Sequence, residues 1–370
     1  MKTPAQLRQG QSGFSITELM VAMTIALIIL AAVATMFVNA NKAYNNRERS
    51  SRVQENGRFA MYYLFRDLRM TGYMGCQKDL TDRLTNNLNT TTGFVFCTAN
   101  ISTPIEGIDD VTSSSTPAWS PSGSTTLPTS VWNNTAAAVA KPDLIAIRMV
   151  DTSSTDYVKS PMTSYTDNIT INNPSNFKNN PVVLVADCIK ADLIQVSGTN
   201  STQLLHATTC PIGVKPCNST NQLSKQYGPQ FGPSTTMVFP YTTRTYYISL
   251  NSNNPKVPSL YRDDNGGSAN GGTTVELVEG IESMKVLYGI ATPPNVQPSY
   301  YRKASAMTTS DWANVVSVKI GILARTTNAK DTDTDNNTYN VNGTVIGPFN
   351  DKNSRRVFTA TALLKNRILQ

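Results

Sequence analysis

Few side chains in this sequence are equipped to do chemistry, and the one in the least ordinary setting is Glu18. It stands at the front of an uncharged run of 20 residues, Leu19 to Val38. A carboxylate deep in a bilayer costs about 2.5–3.5 kcal/mol, so it needs a partner. A Gly13-Phe14 junction precedes it. Cleavage there would create an α-ammonium at the same helix end as the acid, and the two charges could pair within one chain or between staggered neighbours. The alternative is that Glu18 merely complements the positive end of a helix, a gain of about 0.3–1 kcal/mol. The Gly-Phe junction favours the pairing.

The remaining candidates offer less. Five cysteines, Cys76, Cys97, Cys188, Cys210 and Cys217, form no C-x-x-C pair, and His206 is the only histidine. Zinc and haem spacings are therefore missing, and disulfides in an oxidising compartment are the better reading, with buried free thiols as the alternative. Loop proximity pairs Cys76 with Cys97 and Cys210 with Cys217, leaving Cys188 over. A Ser-His-Asp or Cys-His arrangement would have to use His206, which follows Leu204-Leu205 in an expected strand and reads as structural. Neither a G-x-x-x-x-G-K-[ST] loop nor a G-x-G-x-x-G fingerprint occurs. Asp331, Asp333 and Asp335 copy the first half of a calcium loop, but Asn336 replaces its glycine and Asn342 its closing glutamate, so a solvated acidic turn is expected. No cofactor, metal or catalytic residue is expected, and the chain does not read as an enzyme.

The elements that must position Glu18 follow from periodicity. Residues 1–13 form a short polar, basic leader, and 14–38 a membrane segment, since 20 helical residues span about 30 Å. A secretory signal cut near Ala32-Val33-Ala34 would have too long an apolar region. From Asn39 to Met70 there is no proline, and Val53, Gly57, Ala60, Leu64 and Leu68 recur at three- and four-residue spacing. That stripe predicts an amphipathic helix over 39–71 that packs on a sheet. The polar stretch Lys42 to Arg58 faces solvent or neighbouring subunits, and Gly72 stops the helix in the left-handed conformation. The rod would reach roughly 85 Å.

Beyond Gly72 the period changes to two. Strands are expected at Asp143–Val150, Val182–Ala186, Leu193–Val196, Met237–Leu250, Val275–Gly289, Val315–Thr326 and Arg356–Leu364. Val316, Val318, Ile320 and Ile322 alternate with Ser317, Lys319 and Gly321, the pattern of an antiparallel sheet covered on one side. Arg262 to Gly267 reads as a hairpin turn. Polar stretches at about 99–142, with Trp119 and Trp132, and at 328–343 read as long surface loops. The whole is an α+β chain with an extracytoplasmic head over 72–370. Its apolar share of 39%, charged share of 15% and plentiful Ser, Thr and Asn suit such a head. The net charge of +7 is mild, and the only basic cluster is Arg47, Arg49, Arg52 and Arg58, so nucleic acid is not an expected partner.

Gly13-Phe14-Ser15-Ile16-Thr17-Glu18-Leu19-Met20-Val21-Ala22 resembles the processing site of type IV prepilins and type II secretion pseudopilins. Arg69 to Cys76 resembles the helix end of the PilW branch of minor pilins. So do Leu277–Ile281 with Leu287–Gly289, and Phe358–Thr361 with Lys365–Arg367. The resemblance implies a pilin fold, cleavage after Gly13 by a prepilin peptidase, methylation of Phe14, and Glu18 as the assembly carboxylate. It also implies inner-membrane residence before assembly and a place on the pilus afterwards. The implied partners are the lipid bilayer, the inner-membrane assembly platform, other minor pilins, the major pilin and a tip adhesin, in support of adhesion and twitching motility. A minor pseudopilin similar to GspJ is the nearest alternative; a membrane-tethered periplasmic binding protein or enzyme is the alternative of another class.

Overall fold

The computed structural model of the protein describes residues 13–75, 83–89, 104–111, 119–120, 141–177, 182–209, 217–229, 236–265, 273–328 and 334–368. Its contacts divide the chain into two units, Met1–Ser51 and Arg52–Gln370. One helix, α1 (Ile16–Leu68), supplies nearly all of the described part of the first unit and the opening element of the second.

Within the second unit the strands follow in chain order. They are β1 (Leu84–Asn86), β2 (Ile105–Ile108), β3 (Leu144–Val150), β4 (Asp156–Tyr157), β5 (Ile169–Thr170), β6 (Val182–Ala186), β7 (Ala191–Gln195), β8 (Gly198–Thr199) and β9 (Gln203–Leu205). Then come β10 (Met237–Leu250), β11 (Pro258–Asp264), β12 (Thr273–Glu279), β13 (Ile281–Ala291) and β14 (Pro298–Arg302). A one-turn helix α2 (Thr309–Ala313) leads into β15 (Val315–Arg325), β16 (Tyr339–Val341), β17 (Thr344–Ile346), β18 (Arg355–Leu363) and a short α3 (Lys365–Ile368).

The long strand β10 organises a nine-stranded sheet. Its first residues pair with β6, its later ones with β11 and β3, and the path runs β1-β7-β6-β10-β11-β12. A second sheet is antiparallel in the order β14-β13-β15-β18. The expected helical stripe is the buried one: Val53, Ala60, Leu64 and Leu68 join Ile145, Tyr246, Met284, Ile320 and Ile322 in one apolar cluster. Gly57 lets the helix lie against β18, since a Cβ there would come within 2.3 Å of the Phe358 ring. The helix stops at Leu68, and Gly72 takes the left-handed conformation with φ +72°.

Several expectations need correction. The stretch Val275–Gly289 is two strands, because Gly280, at φ +75°, turns the chain from the first sheet into the second. A side chain there would strike the Arg325 carbonyl at 2.7 Å. The polar stretch over 99–142 contains β2, all four residues of which are buried, and a buried Trp119; Trp132 lies outside the described residues. Glu106 and Arg148 form an ion pair at 3.0 Å with both side chains wholly buried, so β2 belongs to the core. The stretch 328–343 ends in the β16–β17 hairpin, whose Val341 is buried with Leu323. That hairpin covers the face of β15 expected to meet solvent: Gly321 touches Val341 and Asn342. At the tip of β11, Asn265 carries the positive φ of +53°, while 266–272 lie outside the described residues. Cys188, expected to be left over, is disulfide-bonded, as is Cys217. Cys76, Cys97 and Cys210 lie outside the described residues, so the two expected pairings are undecided there.

Candidate functional site

Gly13, Phe14 and Glu18 sit together at the start of α1, with Phe14 88% exposed. Ser15 caps the helix through its carbonyl, which accepts from Leu19 N–H at 3.1 Å. In return Ser15 N–H donates to Glu18 Oε2 at 3.0 Å. The carboxylate thus folds back over the first turn, satisfying a donor that has no partner inside the helix. An amine created at Phe14 would lie one residue from that donor.

From Ile16 to Val38 the large apolar side chains are exposed, and the helix is long and apolar enough to cross a bilayer. Its hydroxyls are satisfied within the helix: Thr24 Oγ1 donates to Val21 O and Thr35 Oγ1 to Ala32 O, each at 2.8 Å. A medium without water requires this, because an unmatched polar group there costs several kcal/mol.

The far end of the helix is locked by a residue that the apolar stripe did not reveal. Asp67 is buried beside Leu68 and accepts from Arg244 Nη1 at 2.8 Å and from the Tyr246 hydroxyl. Burial and the adjacent carboxylate hold the Tyr246 phenol well above its ordinary pKa, so it remains a donor. Asn366 Nδ2 donates to Thr71 O at 3.1 Å, tying the C-terminal segment to the turn after the helix. A charged residue set within an apolar stripe was the available signal for Asp67.

The other candidates are occupied or outside the described residues. His206 is buried and its Nε2 meets the Asp167 carbonyl at 2.8 Å, a structural contact. Asp331 and Asp333 lie outside the described residues. Asp335 is committed to protein donors, accepting from Tyr339 Oη at 2.8 Å and Arg355 Nη1 at 2.9 Å on one oxygen and from Asn337 on the other. Among the described residues no group of His, Cys, Asp and Glu is arranged to hold a metal.

Residues 8–34 match the prokaryotic N-terminal methylation motif, and residues 245–366 match the family described as Type IV Pilus-assembly protein W. The second span includes Leu277–Ile281, Leu287–Gly289 and Phe358–Asn366, whereas Arg69 to Cys76 falls in neither span. No curated protein and no solved structure matches the chain. With the methylation motif at the head of an exposed apolar helix, and the PilW match covering the four-stranded sheet β14-β13-β15-β18, the two family matches support a PilW-like type IV pilin.

Proposed function

We propose that this pilin is a minor subunit that helps initiate pilus assembly. It is held in the inner membrane by residues 14–38 with its head in the periplasm, then transferred into the fibre. Prepilin peptidase cuts after Gly13 and methylates Phe14; the new ammonium neutralises Glu18, in the same chain or in a neighbour, as subunits stack. The observation that carries this reading is the placement of Glu18, at the first turn of a helix whose next 20 residues are uncharged and exposed. An acid at that depth is stable only when paired. Partnership with other minor pilins, the major pilin, the assembly platform and a tip adhesin follows, with adhesion and twitching as consequences. Disulfide bridges suit the periplasmic compartment.

Mass spectrometry of the mature N-terminus is the direct test. A chain beginning at N-methylated Phe14 is expected; an intact leader, or a start after Ala34, overturns the proposal. Glu18→Ala, correctly trimmed, is expected to accumulate in membranes and be depleted from sheared fibres at least about tenfold. Equal entry into fibres would remove the electrostatic pairing from the account.

A further inference from the structure

The last strand of the head has an open side. β18 pairs with β15 and with no other strand among the described residues. Leu364 N–H donates to Val316 O and Thr326 N–H to Ser354 O, which sets the phase of the ladder. In an antiparallel pair, alternate residues turn both backbone groups toward the partner. Phe358, Ala360 and Ala362 therefore bond to β15, and Val357, Thr359, Thr361 and Leu363 aim their N–H and C=O groups outward. Arg355 and Arg356 guard only its start; along Val357–Leu363 there is no proline, no charge and no register shift. Its side chains stay largely at the surface, with Leu363 51% exposed.

Beside this edge lies a cleft of about 1010 Å³, with Ala360 on one wall and Met61, Phe65, Arg66 and Arg69 of the helix end among its lining. Arg66, Arg69, Arg356 and Lys365 are exposed around the edge, and none has an ion-pair partner among the described residues. β18 itself carries no acid. A second copy of this chain is a poor occupant, since a twofold centred near Ala360 brings Arg355 and Arg356 of one copy beside Lys365 of the other.

We infer that β18 is a docking edge for an extended segment of another polypeptide, which adds to the four-stranded sheet as a fifth strand along Val357–Leu363 and places alternate side chains in the cleft. The segment is recognised by main-chain hydrogen bonds along β18, by small apolar residues at every second position against Met61 and Phe65, and by a carboxylate in the same phase that meets Arg66 and Arg69. This inference rests on the head and does not require the Glu18 pairing.

The test uses full-length protein in detergent micelles and the capped peptide Val-Thr-Val-Thr-Glu-Thr-Val, which presents three valines and the glutamate on one face. Fluorescence anisotropy measures binding, and hydrogen exchange by mass spectrometry locates it. Binding that protects amides in 357–363 at least about tenfold is expected. Replacing the glutamate by lysine, or moving it one place to the other face, is expected to weaken binding about tenfold or more, near 1.4 kcal/mol. The double variant Arg66→Glu, Arg69→Glu reverses the preference, and because both side chains are exposed its melting temperature should match wild type; if it does not, the two control peptides on wild-type protein still decide. The inference is overturned by no binding at peptide solubility, by protection elsewhere, by amides already slow in the free monomer, or by a concentration-dependent dimer that protects 357–363.

Discussion

Asp67 shows how one buried acid can hold two elements together. It receives Arg244 and Tyr246 from β10 while its own backbone belongs to the last turn of α1, so the helix end cannot slide without stranding a charge. Hydrogen bonds to charged groups contribute about 1.5–3 kcal/mol, and breaking a buried pair from one side costs more than the pair is worth. Asp67→Asn keeps the shape and removes the charge. It is expected to lower stability by about 2 kcal/mol in denaturant unfolding, with a matching fall in melting temperature. An unchanged midpoint would show that Arg244 finds full compensation in Asp264, which lies 3.5 Å from its Nε. Glu18 works differently, because its local partner is a backbone N–H of its own first turn, and under the proposed function a second partner, the α-ammonium, would arrive only with processing and assembly.

Elements meet through surfaces that depend on small residues and on charge clusters. At the crossing of α1 with β18, Gly57 leaves room for the Phe358 ring, and a methyl there would come within 2.3 Å of it. Gly57→Ala is expected to destabilise by about 1–3 kcal/mol through displacement of that ring, a cost partly offset by the better helix propensity of alanine. Pairing it with Phe358→Leu should recover more than half, and a double-mutant cycle measures the coupling. The other joint of β18 is ionic: Arg355 holds Glu282 at 2.6 Å, Asp335 at 2.9 Å and Asp351 at 2.6 Å. Partial burial pushes the Asp335 and Asp351 carboxyls up, but hydrogen bonds from Arg355 and, respectively, Tyr339 and Asn353 outweigh it, leaving both below the ordinary 3.8. A depressed folded-state value contributes stability that is fully present above the unfolded value and is lost as pH falls through the folded one. Stability from this cluster should therefore hold above about pH 4–5 and decline below it. Arg355→Gln is expected to be less stable at pH 7 and to show a flatter acid limb; an identical acid limb would show that these carboxyls are not what the arginine depresses.

On the scale of the molecule, the contacts part the chain at Ser51, which makes truncation informative. A fragment of residues 52–370 keeps Val53, Gly57, Ala60, Leu64 and Leu68 and is expected to be soluble without detergent, unfolding in one cooperative transition. A fragment of residues 72–370 loses the whole stripe. Burial of a leucine or valine stabilises by about 1.5–3 kcal/mol, so the loss takes up most of the 5–15 kcal/mol typical of a domain. It should aggregate or fail to melt cooperatively. A cooperative melt of the shorter fragment at wild-type temperature would show that the sheets do not need the helix.

What the amino-acid sequence by itself determined is what local periodicity and a short chemical pattern can encode. The Gly13–Glu18 junction, the unbroken apolar helix and its buried stripe at Val53, Gly57, Ala60, Leu64 and Leu68 are spaced within one element, and strands β6 and β10 stand at their expected bounds. Short strands such as β2 and β16 went unread because three or four residues carry too little period, and their burial depends on partners far along the chain. Only the tertiary structure decided that Gly280 passes the chain between sheets, that the β16–β17 hairpin closes over β15, that Asp67 meets Arg244, and that β18 has one edge unpaired among the described residues. Each of these is a choice of long-range partner, and a pattern of period two says that a strand forms without saying beside which strand it lies.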